Sequence, residues 1–499
     1  MAAALAAGTM IAGLHWGTFA VGGSDSYCYA HQAERWASGR LHVTEPLALR
    51  APWPLAAETF APAGHIVSPT TRGATAPICP AGLSLVMAVF QLVGGRQAIF
   101  LVVPVMGALL VWSTFLVGRR INPRVGVCAA LVTSCSPVFL FQLMQPMSDV
   151  PAAAWWTLAA AFALGDRRRD VLCAGLAGSA AILTRPNLLP LGIVIGLFLL
   201  ARPGPPLRDR YGDAAVFALG CIPGCLATAA IQHSLYGSPF GSGYGSLSAL
   251  FSTSHIGPNA ARYARWYLET GTPVTLLAMI APLMVRPRAV VWLLAALAVV
   301  NVACYLPYMV FEDWWYLRFL LPALPLVAIL MVATIDACAA RVSPRTAGIV
   351  TAAVTLAVAV GLVYEARTRQ VFRLAQLESR YVRAGDYVAR RLPSNALVVT
   401  ALESGSVRYY SGRPTLVWDM LDPAWLDRAL VFVREQGYEP FLLFERFEEQ
   451  PFRERFTSGA LGRLDWPPMA EIAGQVRIYR PDDRARYQAG EAVQTDYAR

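Results

Sequence analysis

The chain has no lysine: all 42 basic residues are arginine, a bias from which no function follows. Charge of either sign is scarce, at 15% of 499 residues, whereas apolar residues make up 56% and the mean hydropathy is +0.45. A water-soluble protein of this size has no need of so much apolar surface. A disordered chain would need few aliphatics, a collagen-like chain a glycine period, and a disulfide framework dense cysteine in a short chain, so all three are excluded. What remains is a polytopic α-helical membrane protein. Its loop arginines have a topological explanation before a ligand-binding one, so nucleic acid is not an expected partner.

The scarce charge is unevenly placed. Residues 1–364 hold 22 arginines and 13 acids, and residues 365–499 hold 20 arginines and 19 acids. The first part therefore reads as a membrane domain and the second as a soluble extracytoplasmic domain. Apolar runs near the length that crosses about 30 Å of hydrocarbon fall at 3–21, 98–117, 125–143, 151–165, 171–185, 187–201, 214–232, 272–285, 289–306, 319–340 and 346–363, predicting about eleven spans. The first has no basic flank and no small-residue cleavage site, and is expected to be a retained helix.

A twelfth run, 78–95, is shorter and bounded by a proline and a glycine pair. Taken as a helix lying along the membrane, it leaves thirteen arginines in the short loops at 119–124, 167–169, 202–210, 286–288 and 341–345 on one side, which marks that side as cytoplasmic. The N-terminus then lies in the cytoplasm of an inner or plasma membrane. The loop 22–97, with its juxtamembrane helices, and the tail lie outside. Seven of nine cysteines fall in predicted spans, where the thiol packs as a small hydrophobe. Cys28 and Cys79 lie outside them, and two cysteines 51 apart leave their pairing open.

The tail alternates helix and strand: helical 366–391, strands at 396–401 and 414–418, helix 423–437, and strands at 440–445 and 475–479, a small α/β layer domain. It contains no GxGxxG, no Walker loop and no metal-ligand spacing.

The predicted spans hold almost no ionisable residue, whereas ion-coupled transporters place acids, bases or histidines near the midplane. Charge gathers at the extracytoplasmic surface instead, in four stretches. In "GGSDSYCYAHQAERWASG", Asp25 follows the first span, with Tyr27 two residues on. It is either a helix cap or a carboxylate able to take a proton from a hydroxyl or hold a cation. In "MSDVPAAAWW", Asp149 opens another span, with the same two readings. Arg185 interrupts an apolar stretch in "LTRPNLLPL". Arg318 enters a span behind aromatics in "FEDWWYLRFLLPALP", which is either a membrane belt with a snorkelling arginine or a fork for a lipid-linked phosphate. The glycine-rich loop around Tyr244 could wrap a sugar or simply connect two helices.

Asp25, the proline-glycine-like start of "CPAGLSLVMAVFQLVGG", Asp149 in "MSDVP", "LTRPN" and "WWYLRFLLPALP" together resemble the GT-C integral-membrane glycosyltransferases of the protein O-mannosyltransferase and aminoarabinose-transferase type, over roughly 1–365. The resemblance implies eleven to thirteen helices, a polyprenyl-phosphate-linked sugar as donor, and a glycan, lipid or protein as acceptor. It further implies inverting transfer with Asp25 as base, and Asp149 orienting the site or, with Asp25, binding a divalent cation. Arg185 or Arg318 would neutralise the departing phosphate, and Tyr27 and Tyr244 would contact substrate. A flippase for a lipid-linked glycan shares the apolar bulk and is the competing reading; a non-catalytic scaffold is the third.

Overall fold

The computed structural model describes residues 1–498, which divide into two compact units. The first comprises Met1–Gly17, Pro80–Ile231 and Gly245–Leu374; the second comprises Thr18–Cys79, Gln232–Tyr244 and the residues from Ala375 on.

In the first unit every one of the eleven expected apolar runs lies on a helix. Five helices are long and apolar enough to cross a membrane: Arg96–Gly118, Leu207–Tyr236, Arg288–Tyr305, Leu324–Val342 and Ala347–Thr368. The pair Pro123–Cys135 and Pro137–Leu143 makes a sixth if its 64° bend is one span. Pro137 explains the break, because its ring lacks the N–H that would continue the ladder. The other runs form shorter helices. Asp149–Ala163 has 15 residues and Arg168–Thr184 has 17, which at 1.5 Å per residue extend about 22 to 26 Å, less than about 30 Å of hydrocarbon.

The run 78–95 forms the 14-residue helix Ala81–Gly94. A side chain at Gly82 would strike the backbone of Leu183 and Thr184, so glycine is what lets this helix reach the end of Arg168–Thr184, one residue before Arg185.

The second unit is built on a six-stranded sheet of order β5-β4-β6-β8-β7-β9: β4 (Ala396–Val399), β5 (Thr415–Leu416), β6 (Glu439–Glu445), β7 (Ala470–Ile472), β8 (Val476–Tyr479) and β9 (Asp496–Ala498). β4 pairs in parallel with β5 and β6, with Val398 opposite both Thr415 and Phe441; β8 is antiparallel to β6 and β7. Side chains alternate between two buried faces. Leu397, Val399, Leu442 and Phe444 meet Leu426, Leu430 and Val433 of helix Leu426–Glu435. Ala396, Val398, Phe441 and Leu443 meet Ala384 and Val388 of helix Leu374–Arg391.

The first of these cores also takes in Leu47, Trp53 and Phe60. The compact division therefore differs from the expected domains 1–364 and 365–499: most of the loop 22–97 packs with the tail because its large apolar side chains complete that sheet's core. The loop has its own antiparallel sheet of order β1-β3-β2, from β1 (Val43–Thr44), β2 (His65–Val67) and β3 (Ala74–Pro77). Cys28 and Cys79 form a disulfide, tying the helix Gly23–Ala37 to the residues after β3. The seven remaining cysteines are free thiols.

Candidate functional site

Asp149 is the first residue of its helix, after Ser148, and neither side chain makes a capping hydrogen bond. The helix N-terminus favours its negative charge, but its partner is Arg185, which follows the end of Arg168–Thr184. Arg185 Nη2 donates to Asp149 Oδ1 at 2.6 Å, and the side chains are only 11% and 1% exposed. Arg185 Nη1 donates to the Tyr305 hydroxyl at 3.1 Å and its Nε to Ser148 Oγ at 3.3 Å. Three side chains, two from the start of Asp149–Ala163 and one from Arg288–Tyr305, thus meet at one guanidinium. The second carboxylate oxygen, Asp149 Oδ2, is buried and makes no hydrogen bond among the described residues. It is a strong acceptor held ready for a donor.

The floor of this cluster is aromatic. Tyr305 stacks on Phe319, with centroids 5.0 Å apart and planes 16° from parallel. The Arg185 guanidinium lies 5.8 Å from the Phe319 centroid, and that of Arg318 lies 5.2 Å from the same ring and 5.3 Å from Tyr316. Two guanidinium groups therefore border one ring in a cation–π arrangement, Arg185 being ion-paired with Asp149 as well. Asn259 Nδ2 donates to the carbonyls of Leu306 and Tyr308 at 3.0 and 2.6 Å, finishing the end of the helix that carries Tyr305. A mostly apolar cavity in the same unit is lined by Leu317, Leu320, Leu324, Val132, Tyr267 and Leu362, so its wall includes residues on both sides of Arg318 in sequence.

Asp25, Tyr27 and Tyr244 belong to the second unit. Gly22, not Asp25, is the cap residue of the helix Gly23–Ala37, and Asp25 lies half-buried in its first turn. Tyr27, expected to contact substrate, is instead 2% exposed. Its ring stacks 5.0 Å from His31 and lies under Gly405, where any side chain would collide with it, so the ring is core packing. Tyr244 stays 38% exposed in its glycine-rich loop.

Beside Tyr27, Arg35 Nε donates to His31 Nε2 at 3.1 Å, which leaves His31 Nδ1 as the donor to His65 Nε2 at 3.0 Å. Burial, with Arg35 and Arg408 nearby, holds both rings neutral, His31 well below its ordinary range and His65 down to about 3. Burial acts oppositely on two acids of this unit, raising Glu403 to about 8 and Glu448 to about 7. Arg408 pairs with Glu45 and also donates to the carbonyls of Phe60 and Thr415.

Among the described residues no group of three or more His, Cys, Asp and Glu is placed to hold a metal ion. Asp149 offers one committed and one uncommitted oxygen beside a guanidinium, a donor set short of the several oxygens a hard divalent cation takes.

This fold is that of the GT-C glycosyltransferases, and the chain resembles that class in sequence as well as in structure. The sequence model of the dolichyl-phosphate-mannose-protein mannosyltransferase family matches residues 74–224, the stretch that carries Asp149 and Arg185. Among solved structures, the chain is similar to ArnT from Cupriavidus metallidurans in the apo state, with a TM-score of 0.58 at 14% identity, covering 95% of this chain and 96% of that one. The same protein bound to undecaprenyl phosphate superposes with a TM-score of 0.53 at 15% identity, over 90% and 94% of the two chains. The oligosaccharyltransferase AglB from Archaeoglobus fulgidus, in complex with an inhibitory peptide and a dolichol-phosphate, gives 0.53 at 12% identity, over 92% of this chain and 71% of that one. No curated protein matches.

Proposed function

We propose that the chain is a membrane glycosyltransferase that moves a sugar from a polyprenyl-phosphate donor to an extracytoplasmic glycan, lipid or protein. The observation that carries this reading is the pair of guanidinium groups, Arg185 and Arg318, bordering one Phe319 ring, with Asp149 fixing the first. A polyprenyl-phosphate sugar is a phosphodiester with one negative charge, and the departing polyprenyl phosphate gains a second. Cations fixed beside that phosphate therefore stabilise the transition state more than the bound donor. Guanidinium suits this task because its planar fork matches two phosphate oxygens.

The acceptor hydroxyl attacks the anomeric carbon as the bond from that carbon to the phosphate oxygen breaks, which inverts the centre. The hydroxyl proton goes to a carboxylate, for which Asp25 is our candidate on the resemblance alone. Asp149 keeps Arg185 in place, and its Oδ2 can accept from a sugar hydroxyl. The apolar lining beside Leu317 and Leu320 is of the chemistry that an isoprenoid tail would meet. In this reading the shorter apolar helices also cross the bilayer, giving about eleven spans with the N-terminus cytoplasmic and the tail domain outside.

Asp25→Asn tests the reaction class. A transferase loses sugar transfer in vitro while still binding the lipid donor; unchanged transfer removes Asp25 as base. Mass spectrometry of envelope glycans and glycoproteins in a deletion strain would show one missing sugar, naming donor and acceptor class together, and an unaltered glycan profile would count against a transferase.

A further inference from the structure

Asn301 lies on Arg288–Tyr305, four residues before Tyr305 and so on the same face of that helix. It is fully buried. In an apolar bundle a buried amide is costly unless both of its ends are bonded, and here both are. Its Nδ2 donates to the carbonyl of Phe319 at 3.3 Å, and its Oδ1 accepts from the N–H of Ala323 at 3.1 Å. Those two backbone groups flank the junction between the 3-10 segment Trp314–Leu320 and the helix Leu324–Val342. Helix ends leave such groups without full internal partners; the Ala323 N–H shares its bond with Leu320 O at 2.9 Å.

One amide thus clips the segment that carries both Phe319 and Arg318 onto the helix that carries Tyr305, the residue that bonds Arg185 and stacks on Phe319. We propose that Asn301 is a positioning residue for the phosphate platform: it fixes the Phe319 ring and so the placing of Arg185 and Arg318 around it. This rests on the reading of that platform given above. Apolar side chains at 301 would leave the Phe319 carbonyl short of a donor. Aspartate would keep the acceptor for Ala323 but set an oxygen against that carbonyl.

The test uses the full chain in lipid nanodiscs, with undecaprenyl phosphate as probe and hydrogen exchange across 314–324 as a second readout. Asn301→Ala is expected to weaken undecaprenyl phosphate binding about tenfold, the loss of roughly one buried hydrogen-bonded contact. It should fall short of full addition to the loss caused by Arg318→Ala, since part of its effect passes through Arg318 and part through Arg185, and exchange over 314–324 should accelerate while Arg168–Thr184 is unaltered. Asn301→Asp, nearly the same size, keeps the comparison available if the alanine variant does not fold, and should show the same pattern at least as strongly, because an oxygen then faces the Phe319 carbonyl. Wild-type binding and exchange in both variants, or a loss that adds in full to that of Arg318→Ala, would overturn the proposal. If the unmutated chain does not distinguish undecaprenyl phosphate from undecaprenol, the phosphate platform itself falls, and the exchange result still decides whether Asn301 holds the segment.

Discussion

Each unit buries an arginine against a carboxylate, and the two pairs are finished differently. In the second unit Arg408 meets Glu45, the carbonyls of Phe60 and Thr415, and the Thr415 hydroxyl, so its guanidinium is tied to backbone that cannot move without breaking β5. In the first unit Arg185 meets the side chains of Asp149, Ser148 and Tyr305 over an aromatic ring, and one Asp149 oxygen is left uncommitted. Backbone partners make a strut. Side-chain partners, which can turn toward a ligand, make a site. The same kind of ion pair therefore serves stability in one unit and, on the proposed function, chemistry in the other.

The sharpest break in this comparison comes from removing each arginine. Arg408→Ala strands a buried carboxylate and should lower the stability of its unit by about 3 to 5 kcal/mol, read by thermal unfolding, with turnover per folded molecule unchanged. For the other pair, Asp149→Asn with Arg185→Gln removes both charges together. That double variant should stay folded and lose at least about 100-fold in kcat/KM, the scale of a lost oxyanion-stabilising contact. Strong activity in the double variant would show that pair to be another strut.

Next in size is the disulfide, which belongs to the strut side. Reducing Cys28–Cys79, or replacing both by serine, frees a closed loop whose ends are 51 residues apart and should cost about 2 to 4 kcal/mol, measured as a lower melting temperature in the second unit.

A third test uses pH. His31 and His65 bind protons more readily unfolded than folded, so stability falls as pH drops below about 6.5 toward the folded value of about 3 for His65. Glu403 and Glu448 hold protons in the fold that they release when unfolded. Their contribution is full below about 4.5 and is lost as pH rises through the folded values of about 7 and 8. The second unit should thus have a stability maximum between the two limbs. Replacing both histidines by glutamine should flatten the acid limb and Glu403→Gln the alkaline one; a profile unmoved by either would contradict the burial argument.

The smallest effect expected is that of Tyr305→Phe, which deletes one hydrogen bond to Arg185 and should reduce kcat/KM about 3- to 10-fold.

Much of this was legible beforehand, and the reasons differ by region. Membrane-length apolar runs are a strong signal, which is why all eleven fell on helices. Asp149 and Arg185 each stood out as charge in apolar surroundings, but 36 residues separate them, and only the packing of two helices joins them. Tyr305 and Asn301 gave almost no signal: a tyrosine near the end of a span reads as a membrane belt, and a lone asparagine within one as tolerated polarity. β4, β6 and β8 announced themselves by apolar runs. β7 and β9 have three residues each, with charge among them, and β1 has two, too few for a period to show. The place of the first loop in the second unit was hidden because Trp53 and Phe60 look like interfacial aromatics until the sheet they cover is present.

On the proposed function, the first unit recognises a lipid-borne phosphate through Arg185 and Arg318. Native mass spectrometry of the full chain with equal amounts of undecaprenyl phosphate and undecaprenol tests it most directly. Preferential retention of the phosphate, lost when both arginines are replaced by glutamine, is the predicted result; equal retention of the two lipids, or a preference that survives the replacement, would contradict it.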